Sequence, residues 1–284
     1  MTTSVREREP VRLAGVGRRY GARGPWVLRG VDLHLAAGRL VRATGANGTG
    51  KSTLLRLVAG VDAPAEGRIT GRPARTAYVP ERFPPALPFT ALGYLVHLGR
   101  LQGLGRAAAR ARAGEWLERF GAGAYAGTAL AGLSKGSAQK VAVAQALLAE
   151  PGLLVLDEAW TGLDAGARAE LDRAVRERVA ADATVLFVDH DPRRLAGEAD
   201  TTLRVEGGRV RAEAHQPGPA PVRVVASGDR PLPDRLPGGA VPAATGEGTL
   251  FRVDAAASDD LLRVLLDASW HVHRVESGRA GERA

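Results

Sequence analysis

The chain has 284 residues, 45% hydrophobic and 25% charged, enough for one large domain and a smaller one. It contains no cysteine, which excludes a disulfide framework, thiolate metal ligands and a cysteine nucleophile. The net charge of +8 admits an anionic partner, but residues 217–284 hold 8 Arg against 9 acidic residues, so the excess lies in the first 216, with no Lys/Arg block interleaved with aromatics.

The opening segment, residues 1–10, is charged and lacks the apolar core of a secretory signal, so it reads as a tail. No apolar run approaches the roughly 18–20 residues needed to span a bilayer. The chain is therefore expected to be soluble, or held at a membrane by a partner. "VLRGVDLHL" and "LVRAT" read as the first strands. "GANGTGKST", residues 45–53, follows and matches G-x-x-x-x-G-K-[ST] between a strand and an apolar helix over 51–59. Gly45, Gly48 and Gly50 let successive backbone N–H groups face phosphate oxygens, and the helix dipole adds to the attraction. Gly45, Ala46, Asn47, Gly48, Thr49, Gly50, Lys51, Ser52 and Thr53 are the candidate nucleotide-binding set, Lys51 reaching the β/γ-phosphates and Ser52 ligating Mg²⁺.

"AYV" reads as a short strand ended by Pro80, which places Glu81 at a stiff strand-to-loop junction ahead of "FPPALP". Residues 90–150 show no strand pattern, and helices over 92–104, 107–120 and 139–149 make this an all-helical insertion. Inside it, "LSKGSAQK" puts a Ser and a Gly just before a helix, a second anion-facing N-terminus far along the chain from the first. That placement suggests two copies, each completing the other's pocket.

"LLVLDE" is four apolar residues of a buried strand followed by Asp157 and Glu158 at its C-terminal edge, where ligands bind in open α/β sheets. Asp157 is placed to hold Mg²⁺ through water, and Glu158 to orient or deprotonate the water attacking a γ-phosphate. A helix over 165–180, the apolar strand "TVLFVDH" and "TTLRVEGGRV" complete an α/β alternation. "AHQPGPAP" (214–221) reads as a linker. Beyond it, residues 222–276 read as a small α+β domain: strands "VRVVA", "TLFRV" and "WHVHRVE", with Ser258 capping a helix whose first turn carries Asp259 and Asp260. His271 and His273 share a strand face without a third ligand nearby and read as a solvated face. Residues 277–284 read as a disordered tail.

These motifs in this order make residues 11–213 resemble the ATPase subunit of ATP-binding cassette transporters. "GANGTGKST" corresponds to the Walker A, "LSKGSAQK" to the signature, "LLVLDE" to the Walker B, "TGLD" to the D-loop, and "VDHD" carries the switch histidine, His190. The resemblance implies a P-loop α/β core with a helical subdomain over about 85–150, and ATP and Mg²⁺ as bound groups. It also implies a head-to-tail dimer, expected to be a homodimer, in which Ser134 and Gly136 contact the γ-phosphate across the interface and Asp164 lines the facing subunit. Tyr20 matches the aromatic that stacks on adenine, and His190 the residue that holds the γ-phosphate and attacking water.

Two positions depart from the family. The signature reads Leu133-Ser134-Lys135-Gly136-Ser137, with a serine too short to replace the usual glutamine, and Glu81 stands where the Q-loop usually has glutamine. As a third metal-site candidate, Glu81 offers Mg²⁺ a carboxylate but the attacking water no donor. The expected function is ATP hydrolysis driving a separate transmembrane permease from the cytoplasmic face of the membrane. Export is the expected direction, because the C-terminal domain resembles the short tail of exporter ATPases. No nucleic-acid partner is expected. A soluble cassette acting on ribosomes or nucleic acid is the alternative; proteins of that kind carry two cassettes, long coiled coils or zinc sites, and the chain has one Walker A. A P-loop small-molecule kinase would leave "LSKGSAQK" and His190 without a purpose.

Overall fold

Alternate apolar residues of two buried strands feed two different cores. In the computed structural model, which describes residues 9–21, 23–83, 87–214, 222–233, 236–245, 248–253 and 257–277, every residue of β6 (Leu153–Asp157) and β7 (Thr184–Val188) is buried. Leu154, Leu156, Val185 and Phe187 join one apolar cluster, while Leu153, Val155, Leu186 and Val188 join the other. A strand with an apolar layer on each face needs apolar residues throughout, and each such side chain contributes roughly 1.5–3 kcal/mol by leaving water.

The sheet these strands build has the order β5-β6-β7-β3-β8-β9, with β3 at Leu40–Thr44, β5 at Thr76–Val79, β8 at Thr201–Glu206 and β9 at Arg209–Ala214. It is parallel from β5 to β8, and only β9 runs back against its neighbour, through the Gly207–Gly208 turn. The C-terminal ends of β3, β5, β6 and β7 consequently open on one edge. Helix α1 (Lys51–Ala59) lies on one face, together with an antiparallel sheet of β1 (Val11–Arg19), β2 (Trp26–Leu35) and β4 (Glu66–Thr70). The other face carries α2 (Ala91–Leu101), α3 (Arg106–Arg119), α4 (Lys135–Leu147) and α5 (Ala165–Ala180).

Helix α4 starts four residues before the expected 139. Ser134 is its N-cap, accepting a hydrogen bond from the Ser137 N–H at 3.1 Å, so the signature segment is the helix's first turn rather than a loop ahead of it.

The chain divides into two units, residues 1–215 and 216–284. The second unit is an antiparallel sheet in the order β11-β12-β10-β13, with β10 at Val222–Ser227, β11 at Val241–Thr245, β12 at Gly248–Val253 and β13 at His271–Ser277. Helix α6 (Ser258–Asp267) packs Leu261 and Leu265 on Val224, Phe251 and Val253. Ala257, not Ser258, occupies the capping position of α6: Ser258 already lies inside the first turn, whose polarity is met by Asp259 and Asp260. His273 Nε2 sits 2.7 Å from Ser227 Oγ, and among the described residues no group of three or more His, Cys, Asp or Glu could hold a metal. The expected linker, from residue 215 on, and the tails over 1–8 and 278–284 lie outside the described residues. Ser277, placed in the tail by sequence, pairs with Val222 as the end of β13.

Candidate functional site

Gly45, Gly48 and Gly50 all have positive φ, at 146°, 78° and 105°. The left-handed region is open to glycine and costly for other residues, and a Cβ on Gly45 would also collide with the Val205 carbonyl. The turn aims the first N–H groups of α1 into a cleft. Gly50 caps that helix without a side-chain hydrogen bond, so no side chain competes with a ligand there. Lys51, 9% exposed, folds back over the loop and donates to the carbonyls of Gly45 and Ala46 at 2.8 and 2.9 Å. Thr49 tightens the same turn, its hydroxyl donating to Ala46 O at 2.9 Å.

Asn47, Gly48, Gly50, Lys51, Ser52 and Thr53 line one wall of this cleft, whose volume is about 350 Å³. Glu81, Glu158 and His190 line the opposite side. The parallel sheet brings these three together, because β5, β6 and β7 all end on the edge that β3 enters the glycine loop from. Asp157 stands just behind. It is 2% exposed and accepts from Ser52 Oγ at 3.1 Å and Tyr78 Oη at 3.0 Å. Burial raises its pKa, the two hydroxyl hydrogen bonds pull it down, and the charge of Glu81 raises it further. Burial and the adjacent Asp157 likewise raise the phenol of Tyr78.

Glu158 follows Asp157 with φ 52°, a left-handed backbone that turns its side chain out of the strand, while its N–H donates to Val188 O at 3.0 Å. Its carboxylate meets His190 Nε2 at 2.7 Å. Burial raises the Glu158 pKa, and Glu81 and Asp157 push in the same direction, against His190 and Lys51. Glu81 is half-exposed, with the Arg82 guanidinium 3.9 Å away.

Other expected site residues stand outside the cleft lining. Tyr20 has its hydroxyl 3.2 Å from Thr53 Oγ1 and donates to Asp62 at 3.2 Å; it also accepts from Arg56, and Arg18 lies 4.9 Å over its ring. Ser134 and Gly136 belong to α4, and a Cβ on Gly136 would stand 2.8 Å from the Gly162 carbonyl. Asp164 caps α5 through the Ala167 N–H at 2.8 Å and pairs with Lys140 at 2.6 Å; the Lys140 and Ala167 hydrogen bonds lower its pKa. Sequence reasoning missed Tyr78 as a partner of Asp157. The signal was its place in β5, but the contact depends on β5 pairing with β6, which spacing alone does not reveal.

A glycine loop on a helix N-terminus, facing an acid pair and a histidine across a parallel-sheet edge, defines a P-loop ATPase with an inserted helical subdomain. Residues 28–161 match the ABC transporter family. The chain is 36% identical over 230 residues to the aliphatic sulfonates import ATP-binding protein SsuB of Escherichia coli O6:H1 (strain CFT073), covering 78% of this chain and 88% of that one. It is 38% identical over 211 residues to SsuB 2 of Pseudomonas aeruginosa (strain UCBPP-PA14), covering 71% and 73%. The zinc import ATP-binding protein ZnuC of Cereibacter sphaeroides is 39% identical over 181 residues, covering 62% and 72%. A solved ATP-binding subunit of an ABC transporter superposes with a TM-score of 0.67 at 27% identity, over 72% of this chain and 90% of that one. A dimeric bacterial ABC transporter cassette gives 0.63 at 24% identity, over 72% and 98%, which shows the fold.

The chain belongs to the ABC transporter family, as an ATP-binding and ATP-hydrolysing subunit. The expectation of export draws no support from these relatives, which are named as import proteins.

Proposed function

We propose that the chain hydrolyses ATP in the glycine-loop cleft and works a separate transmembrane permease from the cytoplasmic face of a membrane. No helix among the described residues is long and apolar enough to cross one. The observation that carries the reading is the Glu158–His190 contact of 2.7 Å at the mouth of the cleft. Glu158 accepts the proton of the attacking water, and His190 orients that water and the γ-phosphate. Lys51 exchanges its two loop carbonyls for phosphate oxygens. The loop residues 45–53 cradle the phosphates, and Tyr20 receives the adenine.

The donor set fits Mg²⁺. A buried carboxylate, Asp157, bonded among the described residues by two neutral hydroxyls is a ready partner for a hard cation. With no cluster of three or more acidic or histidine ligands among the described residues, the ion would be completed by phosphates and water, as Mg²⁺ commonly is. Ser52, Asp157 and Glu81 would hold it, and it would neutralise charge developing on the phosphates. Ser134 and Gly136 stand away from their own cleft, which supports a head-to-tail homodimer in which each signature turn completes the partner's site, with Asp164 at the interface.

Import is the direction the relatives favour. Export is kept as a second reading on the small α+β unit that follows residue 215, a unit whose sequence suggests an exporter's tail. ATPase measurements on the subunit purified with its permease separate the two. Stimulation by an extracytoplasmic solute-binding protein supports import, whereas stimulation by apolar compounds without any binding protein supports export. The core reading is tested by Glu158→Gln and His190→Ala, both expected to cut turnover steeply, His190→Ala to a residual but measurable rate, while nucleotide binding persists. Full turnover in both variants would refute it, and loss of any membrane subunit on copurification from detergent extracts would refute the permease assignment.

A further inference from the structure

Strand β3 carries a charged residue between two fully buried ones: Val41 and Ala43 are 2% and 1% exposed, and Arg42 lies between them. Arg42 is in register with Phe187 of β7, and its guanidinium carbon sits 5.7 Å from the centre of that ring. The side chain runs on beneath the segment that follows β7, residues 189–194, which contains His190. There one guanidinium gathers four backbone carbonyls. Nη1 donates to Pro192 at 3.0 Å and Arg194 at 3.3 Å, and Nη2 donates to Asp191 at 2.8 Å and Asp189 at 3.4 Å. The acceptors bracket His190 on both sides in sequence.

The backbone pairing of β3 with β7 ends at Arg42 and Phe187, three residues before His190. On its other side β7 stays paired with β6 through Val188, and the segment leaves the ladder only after that. Within the segment, Asp189 accepts from the Asp191 N–H at 2.7 Å, and Asp191 accepts from the Arg193 N–H at 2.9 Å. Its far end is tied to α5 by Arg194, which donates to Asp172 at 2.8 Å. Arg42 supplies the tie on the near side, and it comes from the strand that leads three residues later into Gly45. A planar fork with five donors suits this task, since it fixes several acceptors at once where an ammonium would not.

We infer that Arg42 is a positioning residue for hydrolysis: its four-carbonyl clamp holds the His190 segment in register with the glycine loop. Orientation at a reacting centre is worth this much structure, because a misplacement of about 1 Å can cost about 100-fold in rate. The inference rests on the role given to His190 above, and the experiment keeps the two apart.

ATPase kinetics of the full chain are compared for wild type, Arg42→Ala, His190→Ala and the double variant, with binding of a fluorescent ATP analogue measured on each. Arg42→Ala is expected to lower kcat by roughly 10- to 100-fold, while the analogue's Kd and the KM for ATP stay within about twofold. In the His190→Ala background it should add nothing, the non-additivity of residues acting through one another. Equal losses in both backgrounds, an unchanged kcat, or a loss appearing chiefly in KM would each overturn the inference. If His190→Ala retains full turnover, the role of His190 itself fails, and this is read directly from the single variant. Arg42→Lys is carried alongside in case the alanine variant does not fold. It keeps the charge without the fork, and is expected to recover less than half of the wild-type kcat if the clamp is what matters; full recovery would count against it.

Discussion

The carboxylates around the cleft set the pH behaviour of a single residue, Glu158. Its pKa is raised by burial and by Glu81 and Asp157, and a general base is lost when it is protonated, so kcat/KM should fall on the acid side at a higher pH than an ordinary glutamate gives. Glu81→Gln removes one of the like charges. Glu158 then titrates lower, and the acid limb of kcat/KM, which reports the free enzyme, should move to lower pH with ATP binding nearly intact. A limb that stays in place would show that Glu81 does not act on Glu158. In the permease complex the same variant is expected to change the ratio of transport to ATP hydrolysed, because Glu81 stands at the entrance to the helical insertion. Tyr78→Phe makes a second residue-level case. It removes one of the two hydroxyls on Asp157, and partners of a metal ligand typically tune affinity by about 10-fold or more. The half-saturating Mg²⁺ concentration should rise about 10-fold, with kcat at saturating Mg²⁺ within about twofold; an unchanged Mg²⁺ requirement would leave Tyr78 a packing residue.

At the level of elements, helix α3 of the insertion is tied to α5 through Arg119. Its guanidinium meets Glu170 at 2.6 Å and Glu177 at 2.9 Å, and stacks 4.2 Å over Trp116. Glu170 is 4% exposed, so Arg119→Ala leaves a buried carboxylate with Arg173, at 2.8 Å, as its remaining cation among the described residues. Hydrogen bonds to charged groups contribute about 1.5–3 kcal/mol, and chemical denaturation should show a loss of that order; a change below about 0.5 kcal/mol would mean that Arg173 compensates fully. Elements were legible in the sequence where burial was uniform. Strands β6 and β7 and helices α1 and α5 stand where their apolar runs and the glycine loop put them, because both faces of the central sheet are covered. Strands β1 and β4 were missed. Register shifts around Gly15 and Gly17 break the alternation of β1, and β4 has four exposed residues out of five. The site was legible as motifs, each a local backbone device. What joins them, Tyr78 on Asp157 and Arg42 beneath the His190 segment, depends on which strands lie side by side, and that order (β6, β7, β3) is not the order of the chain.

For the whole molecule, the decisive feature is that the Ser134–Gly136 turn stands outside the lining of the phosphate cleft. Ser134 caps α4 and Gly136 packs its backbone against Gly162, while the phosphate cleft is lined by other residues. A second copy facing the opposite way would set this turn against the partner's γ-phosphate. Ser134 Oγ presently lies 3.0 Å from Ser137 Oγ, so its hydroxyl proton must be drawn from a neighbour before it can serve a phosphate. That competition is absent when the side chain after the glycine has no acceptor, as in alanine. It predicts a weak dimer that needs hydrolysis arrested to be seen. Glu158→Gln with Mg²⁺ and ATP should scatter light at twice the monomer mass, and the same protein with ADP at the monomer mass. Adding Ser134→Arg should abolish the dimer and leave binding of a fluorescent ATP analogue to the monomer unchanged, whereas Ser137→Ala should lower the ATP concentration at which the dimer forms. A Glu158→Gln chain saturated with ATP yet monomeric at every concentration tested would reject the head-to-tail arrangement, and with it the assignment of Ser134 and Gly136 to the site.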